Sequence, residues 1–200
     1  MPVNPNYIFH PKPLANNFLN HLEYAYYFSD PECDSIIEMA QAYEEMQAGI
    51  TTDNTEDLLY RKSRVRWIEC LHDNEWLWLK MATLAELAND NFYHYDLIGF
   101  KECFQYTEYE APGEHYTWHM DYGNGYMSQR KLSICVQLSN PDDYEGGELH
   151  MFYKHDVEVA QKTRGTAIVF PSFTMHKVTP VTSGLRKSLV SWVSGGRTYR

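Results

Sequence analysis

The second half of the chain is a succession of short extended runs. They span Lys101–Glu110, Tyr116–His119, Lys131–Ser139, Glu148–Tyr153, Ala167–Pro171, His176–Pro180 and Leu185–Val193. Between them lie turn formers: Pro112-Gly113, Gly123-Asn124-Gly125, Gly146-Gly147 and Ser183-Gly184. Many short strands at even spacing with this punctuation specify a β-sandwich or barrel. There is no internal repeat and no low-complexity tract.

The first hundred residues read differently. Ser29-Asp30-Pro31-Glu32 is a helix start, with a capping side chain followed by Pro and an acid in the first turn. Cys33, Ile36, Ile37 and Ala40 follow at helical spacing. The polar stretch GITTDNTEDLLYRKSR breaks the pattern and is expected to be a loop. A second helix is expected from Asn74 to about Asn89-Asp90-Asn91, with Trp76, Leu77, Leu79, Leu84, Leu87 and Ala88 as its apolar face. We expect one domain over residues 1–200, with roughly the first hundred residues giving helical support and the remainder a β core.

Two hundred residues, 44% hydrophobic and 15% aromatic, suffice for such a core. A net charge of −10 argues against phosphate-dominated nucleic-acid binding, although Arg61-Lys62-Ser63-Arg64-Val65-Arg66 is locally basic. The N-terminal MPVNPNYIFHPKP lacks the pattern of a signal peptide, and no apolar run is long enough to span a bilayer. Cys33, Cys70, Cys103 and Cys135 are widely spaced, form no CxxC, and read as free thiols in a reducing compartment. A cytoplasmic protein is expected, without membrane or nucleic-acid partners and with its oligomeric state open.

In Leu132-Ser133-Ile134-Cys135-Val136-Gln137-Leu138 the even positions are apolar and the odd ones small or polar. Alternate residues of a strand face opposite sides. The apolar side can pack on the helices and the polar side can face a cavity; solvent on the polar side is the alternative.

The pattern His-x-Asp occurs twice, at His94-Tyr95-Asp96 and His119-Met120-Asp121. The second sits at a strand end before a glycine loop, where residues i and i+2 point the same way and can converge on one ion. Alone, either triplet reads as an ordinary surface pair. His176 offers a second imidazole, and two His with one carboxylate are the facial triad of non-haem Fe(II) oxygenases. Arg186 lies ten residues beyond His176 and is expected on the neighbouring strand of a hairpin. Its planar fork suits the distal carboxylate of a dicarboxylic 2-oxoacid; a surface ion pair is the alternative. Arg186, Ser188, Val190 and Trp192 share a face by parity, which offers Ser188 as a further donor.

These pieces together resemble the 2-oxoglutarate- and Fe(II)-dependent dioxygenases of the prolyl 4-hydroxylase type, close to bacterial and phage PKHD-type hydroxylases. The resemblance runs from about Tyr26 to Arg200. It is carried by Arg61 to Trp67, by Tyr109, Gly113 and Tyr116 ahead of His119-Met120-Asp121, and by Arg130-Lys131-Leu132-Ser133. Tyr144-Glu145-Gly146-Gly147-Glu148-Leu149, Phe170-Pro171-Ser172 and His176 to Val181 ending at Gly184-x-Arg186 complete it.

The resemblance implies a double-stranded β-helix, a jelly roll buttressed by N-terminal helices. It implies that His119, Asp121 and His176 bind iron and that Arg186 binds the C5 carboxylate of 2-oxoglutarate. Tyr109 matches a tyrosine of the cosubstrate pocket. The spacing Tyr109-x-x-x-Gly113 is one residue longer than the family's, which makes Tyr106 a competitor. Gln137 falls on a strand that often carries another cosubstrate contact. Asp121 argues against the halogenase branch, where a small residue stands. The implied cofactors are Fe(II), 2-oxoglutarate and O2, with ascorbate as reductant. The implied reaction hydroxylates a peptidyl proline or lysine, or an amino-acid-like substrate. A non-catalytic metal-binding jelly roll and a cupin-like metalloenzyme without an oxoacid are the alternatives. Residues 122–129 and 48–66 are candidate lids, and Arg64, Arg66 and Trp118 candidate substrate contacts.

Overall fold

The computed structural model describes residues 20–48 and 58–196. Two helices, α1 (Asp30–Ala40) and α2 (Glu75–Ala88), precede most of the sheet. The strands are β1 (Leu22–Tyr24), β2 (Met46–Gln47), β3 (Arg61–Lys62), β4 (Arg64–Ile68), β5 (Leu97–Phe100), β6 (Phe104–Glu110) and β7 (His115–His119). They continue as β8 (Arg130–Gln137), β9 (Tyr144–Gly146), β10 (Leu149–Tyr153), β11 (Asp156–Val159), β12 (Ala167–Pro171), β13 (Met175–Val178) and β14 (Val181–Gly195). The larger sheet runs β1-β12-β8-β14-β6-β4-β2, with β5 and β9 also paired to β14; the smaller runs β11-β10-β13-β7-β3. All the pairings are antiparallel. The fold is a jelly roll with the helices against its larger sheet.

Helix α1 starts where its cap requires. The Ser29 backbone N–H and hydroxyl both donate to the Glu32 carboxylate, at 2.8 and 2.9 Å. The helix buries Cys33, Ile36 and Ala40. Helix α2 buries Leu77, Met81, Leu84, Ala85 and Ala88, one stripe at the 3.6-residue period. This corrects the expected face: Leu79 is 67% exposed and Leu87 43% exposed, while Met81 and Ala85 lie in the core. Trp78 stacks on Phe104 of β6, ring centroids 3.8 Å apart, which ties α2 to the sheet.

The alternation in β8 divides the molecule. Leu132, Ile134, Val136 and Leu138 join the core shared with both helices. Cys135 belongs to a second core between the sheets, with Tyr109, Leu149, Met151, Phe170 and Val178.

Three sequence expectations are corrected. The end of the polar stretch is strand, not loop: Arg61 pairs with Tyr116 on β7, and Arg64 onward pairs with β6. Polar side chains are tolerated there because Arg64 and Arg66 meet Glu110 and Glu45. Residues 58–60 form a turn ahead of β3, and residues 49–57 of that stretch lie outside the described residues. Ser183-Gly184 is not a turn between strands but a bend within β14. Up to Gly184 that strand pairs with β9, and from Leu185 with β6. A Cβ at Gly184 (φ 73°) would stand 2.0 Å from the Asp143 carbonyl oxygen, so the crossing needs glycine. Finally, His176 and Arg186 do not sit on a hairpin within one sheet. The chain crosses from the smaller sheet to the larger between them, so the two side chains line the space between the sheets from opposite sides.

Candidate metal and oxoacid site

The space between the sheets is a cavity of about 330 Å³. His119 and His176 are direct cross-strand partners on β7 and β13, which places both imidazoles on one face with ring centroids 4.1 Å apart. Asp121 follows β7 by two residues. Its segment is pinned by the Tyr122 N–H donating to the Ser172 carbonyl at 2.9 Å and by Arg130 donating to the Asp121 carbonyl at 3.2 Å. One carboxylate oxygen lies 3.8 Å from His119 Nε2 and the other 3.7 Å from His176 Nε2. All three residues are buried, and one ligand atom from each falls within 4.8 Å of the others, the one such cluster among the described residues.

The partners of these groups fix their chemistry. His119 Nδ1 donates to the Thr117 carbonyl at 2.8 Å and His176 Nδ1 to the Thr174 carbonyl at 2.9 Å. Each ring therefore turns its Nε2 lone pair inward. Burial and the neighbouring His176 push the His119 ring down to about 3, so it is neutral at physiological pH. Burial works to raise the Asp121 carboxyl, but the two imidazoles and the Ser133 hydroxyl outweigh it and hold the group below the usual range. Ser133 Oγ donates to Asp121 Oδ2 at 2.6 Å. Two imidazoles that each turn Nε2 inward, together with an anionic carboxylate, form a donor set suited to a divalent transition metal with open positions.

Arg186 lies deeper, only 1% exposed. Its Nη2 donates to Gln137 Oε1 at 3.0 Å and its Nη1 meets Ser188 Oγ at 3.3 Å. Its guanidinium carbon is 5.4 Å from the Tyr109 ring centre, and Cys135 Sγ is 3.9 Å from Nη2. Its Nε has no partner. A buried guanidinium held only by neutral groups is costly unless an anion joins it. That orphaned charge, in the same cavity as the His/Asp/His cluster, fits a carboxylate-bearing chelator of the metal.

The cavity thus gathers His119, Asp121, His176, Arg186, Tyr109 and Ser188, while Gln137 touches Arg186. Tyr106 is fully buried on the helix side, with its hydroxyl on Glu108 at 2.8 Å, so of these two tyrosines Tyr109 is the one that lines the cavity. His94 and Asp96 are exposed and stand apart, His94 in a left-handed conformation (φ 54°) that ends a π-helical turn after α2. Of the lid candidates, Tyr126 and Met127 line the cavity from the 122–129 segment, as do Tyr60 and Arg61 from the described part of the other. Arg64 and Arg66 are taken up by Glu110 and Glu45. Trp118 packs outside against Phe152 and Lys177. None of these three lines the cavity. Ser133 and Cys135 were not singled out as site residues from sequence, although the parity of β8 places them with Gln137.

Comparison with known proteins identifies a domain. The model of the 2OG-Fe(II) oxygenase superfamily matches residues 104–194. The chain carries a 2OG-Fe(II) oxygenase domain. The oxygenase family implies Fe(II), 2-oxoglutarate and O2 as its cofactors. Among curated relatives of this oxygenase domain, a PKHD-type hydroxylase of Prochlorococcus marinus is 40% identical over 85 residues, 42% of this chain and 38% of that protein. One from Janthinobacterium sp. is 36% identical over 94 residues, covering 44% and 41%. The match thus spans about two fifths of these relatives' length. A prolyl-4-hydroxylase of Pseudomonas putida has the same fold, with TM-score 0.71 and 20% identity over 88% of this chain and 93% of that one. The viral collagen prolyl hydroxylase of Paramecium bursaria Chlorella virus-1 aligns at TM-score 0.65 and 21% identity, covering 89% and 97%.

Proposed function

We propose that the protein is a 2-oxoglutarate- and Fe(II)-dependent hydroxylase of a peptidyl proline or lysine, or of an amino-acid-like molecule, and that residues 1–200 work as one dioxygenase domain. The observation that carries this reading is Arg186, a buried cation with no carboxylate partner among the described residues, in the cavity that holds His119, Asp121 and His176.

In this reading His119 and His176 present Nε2 to iron while the Thr117 and Thr174 carbonyls hold their Nδ1 protons. Asp121 supplies the third ligand, oriented by the Ser133 hydroxyl. Arg186 receives the C5 carboxylate of 2-oxoglutarate, with Ser188, Gln137 and Tyr109 around it. Together the bound iron and cosubstrate supply O2 activation, with decarboxylation of 2-oxoglutarate to succinate and CO2 coupled to C–H hydroxylation. The protein's part is to orient the substrate and to exclude water, the latter through Tyr126 and Met127 at the cavity wall. Ascorbate serves as reductant. The four unpaired cysteines suit a reducing compartment, and we place the protein in the cytoplasm. No helix among the described residues is long and apolar enough to cross a membrane.

A second reading, a jelly-roll binding module with a structural metal, keeps the ligand cluster but gives Arg186 no task. Calorimetric titration of the metal-loaded protein with 2-oxoglutarate separates the two. The hydroxylase reading expects binding that Arg186→Gln weakens about 100-fold, the loss of a buried charge-assisted pair. A wild-type protein that does not bind the oxoacid leaves only the module.

A further inference from the structure

The described arginines divide into two sets. Arg64, Arg66, Arg130 and Arg164 each meet a carboxylate: Glu110, Glu45, Glu102 and Asp34 respectively. Arg61 and Arg186 meet none among the described residues, and both line the cavity. Arg186 is accounted for by the oxoacid. Arg61 is not.

Arg61 is held in place by neutral groups. Its Nε donates to Ser63 Oγ at 2.9 Å and its Nη2 to Gln105 Oε1 at 3.3 Å. Its guanidinium carbon stands 4.6 Å from the centre of the Tyr116 ring. That ring in turn stacks on His119, centroids 3.5 Å apart and 14° from parallel. So Arg61 is one aromatic ring removed from a proposed iron ligand, with its fork pre-oriented and Nη1 without a partner among the described residues. It also stands at a different level from Arg186. Its partner Gln105 is opposite Val190 on β14, four residues from Arg186, roughly 13 Å at strand rise. The walls at the Arg61 end are Trp67, Tyr116 and Trp192. Among the described residues Asp121 is the one carboxylate that lines the cavity, and Arg130, which also lines it, is paired with Glu102. A fixed guanidinium on apolar aromatic walls recognises a carboxylate.

Resting on the hydroxylase reading above, we infer that Arg61 is a specificity-determining residue that binds a carboxylate of the substrate to be hydroxylated. The substrate class is then a small acid whose reacting carbon is a few bonds from its carboxylate. The carboxylate is either the α-carboxylate of a free amino acid or the side chain of an Asp or Glu beside the target residue in a peptide.

The test offers the Fe(II)- and 2-oxoglutarate-loaded protein matched pairs of probes. One arm contains L-proline and L-lysine with their carboxamides. The other contains acetylated, amidated tripeptides in which Glu-Pro or Asp-Lys is paired with Gln-Pro or Asn-Lys. Products are read as a mass gain of one oxygen, and binding is read by saturation-transfer NMR on protein loaded with Zn(II) in place of iron. At least one acid is expected to bind and turn over at least tenfold better than its amide, and the arm in which it falls identifies the source of the carboxylate. Arg61→Gln should then raise KM for that acid about ten- to hundredfold, the effect of losing a charge-assisted pair, and Arg61→Lys should restore part of it. Calorimetric affinity for 2-oxoglutarate should persist in Arg61→Gln. No acid-over-amide preference in either arm overturns the inference, as does a preference that Arg61→Gln leaves intact. Loss of 2-oxoglutarate binding in Arg61→Gln also overturns it, by making Arg61 a cosubstrate residue. Failure of the hydroxylase reading has a different signature, wild-type protein that does not bind 2-oxoglutarate.

Discussion

At the scale of single residues, a few short contacts turn ordinary side chains into a candidate metal site. Ser133 donates its only hydroxyl proton to Asp121 at 2.6 Å and so fixes which carboxylate oxygen is committed. Ser133→Ala is therefore expected to weaken Fe(II) binding about 10- to 100-fold, the usual effect of removing a group that orients a ligand. Metal titration followed by competition with a chelator measures this; unchanged affinity would mean that Asp121 needs no such support. Ser133 was hard to pick out from sequence because serine is common in strands, and only the contact with Asp121 gives it a role. Arg186 was legible by chemistry, but its geometry was not. Spacing alone placed it beside His176 on a hairpin, whereas the chain changes sheets between them and the two line the cavity from opposite sides.

At the scale of elements, periodicity was informative where one face is buried and weak where both faces are polar. The alternation in β8 separates a helix-facing apolar row from a cavity-facing polar row, and both rows fall where parity put them. Strands β3 and β4 were hidden because their polar side chains find partners that local sequence does not reveal, Arg64 with Glu110, Arg66 with Glu45 and Arg61 with Ser63. In α2 the stripe is Leu77, Met81, Leu84, Ala85 and Ala88, with Leu79 outside it. Leu77→Ala should cost about 2–5 kcal/mol, and Leu79→Ala less than about 0.5 kcal/mol beyond propensity, by denaturant unfolding. Equal costs would show that α2 does not present this face to the sheet. Helix α1 carries a pH signature. Burial pushes the Cys33 thiol up from 9.0 to about 11. Between those values the unfolded chain releases a proton that the folded chain retains, so stability falls as pH rises. The loss is about 2–3 kcal/mol, complete above the folded value. Unfolding free energies from pH 9 to 11 should thus decline more steeply in the wild type than in Cys33→Ala; parallel declines would mean that the thiol is solvated in the fold.

At the scale of the whole molecule, the architecture divides labour between two faces of one sheet. Helices α1 and α2 seal the outer face with apolar packing. The inner face is thereby free to carry Ser133, Gln137, Arg186 and Ser188, polar groups that a two-sided core would not accept. Opposite it, the smaller sheet brings His119 and His176 into register. A sandwich or barrel was legible in the sequence as strand count and turn spacing, and the jelly roll only through the family resemblance. The partition of strands between sheets was not, because it depends on which edges pair in three dimensions. On the proposed function this enclosed cluster, and not the exposed His94-Tyr95-Asp96, is the iron site. Its most direct test is succinate release from 2-oxoglutarate with Fe(II) and ascorbate, comparing wild type with His119→Ala and His94→Ala. Turnover is expected in the wild type and in His94→Ala and none above background in His119→Ala; undiminished succinate release by His119→Ala would place the iron elsewhere.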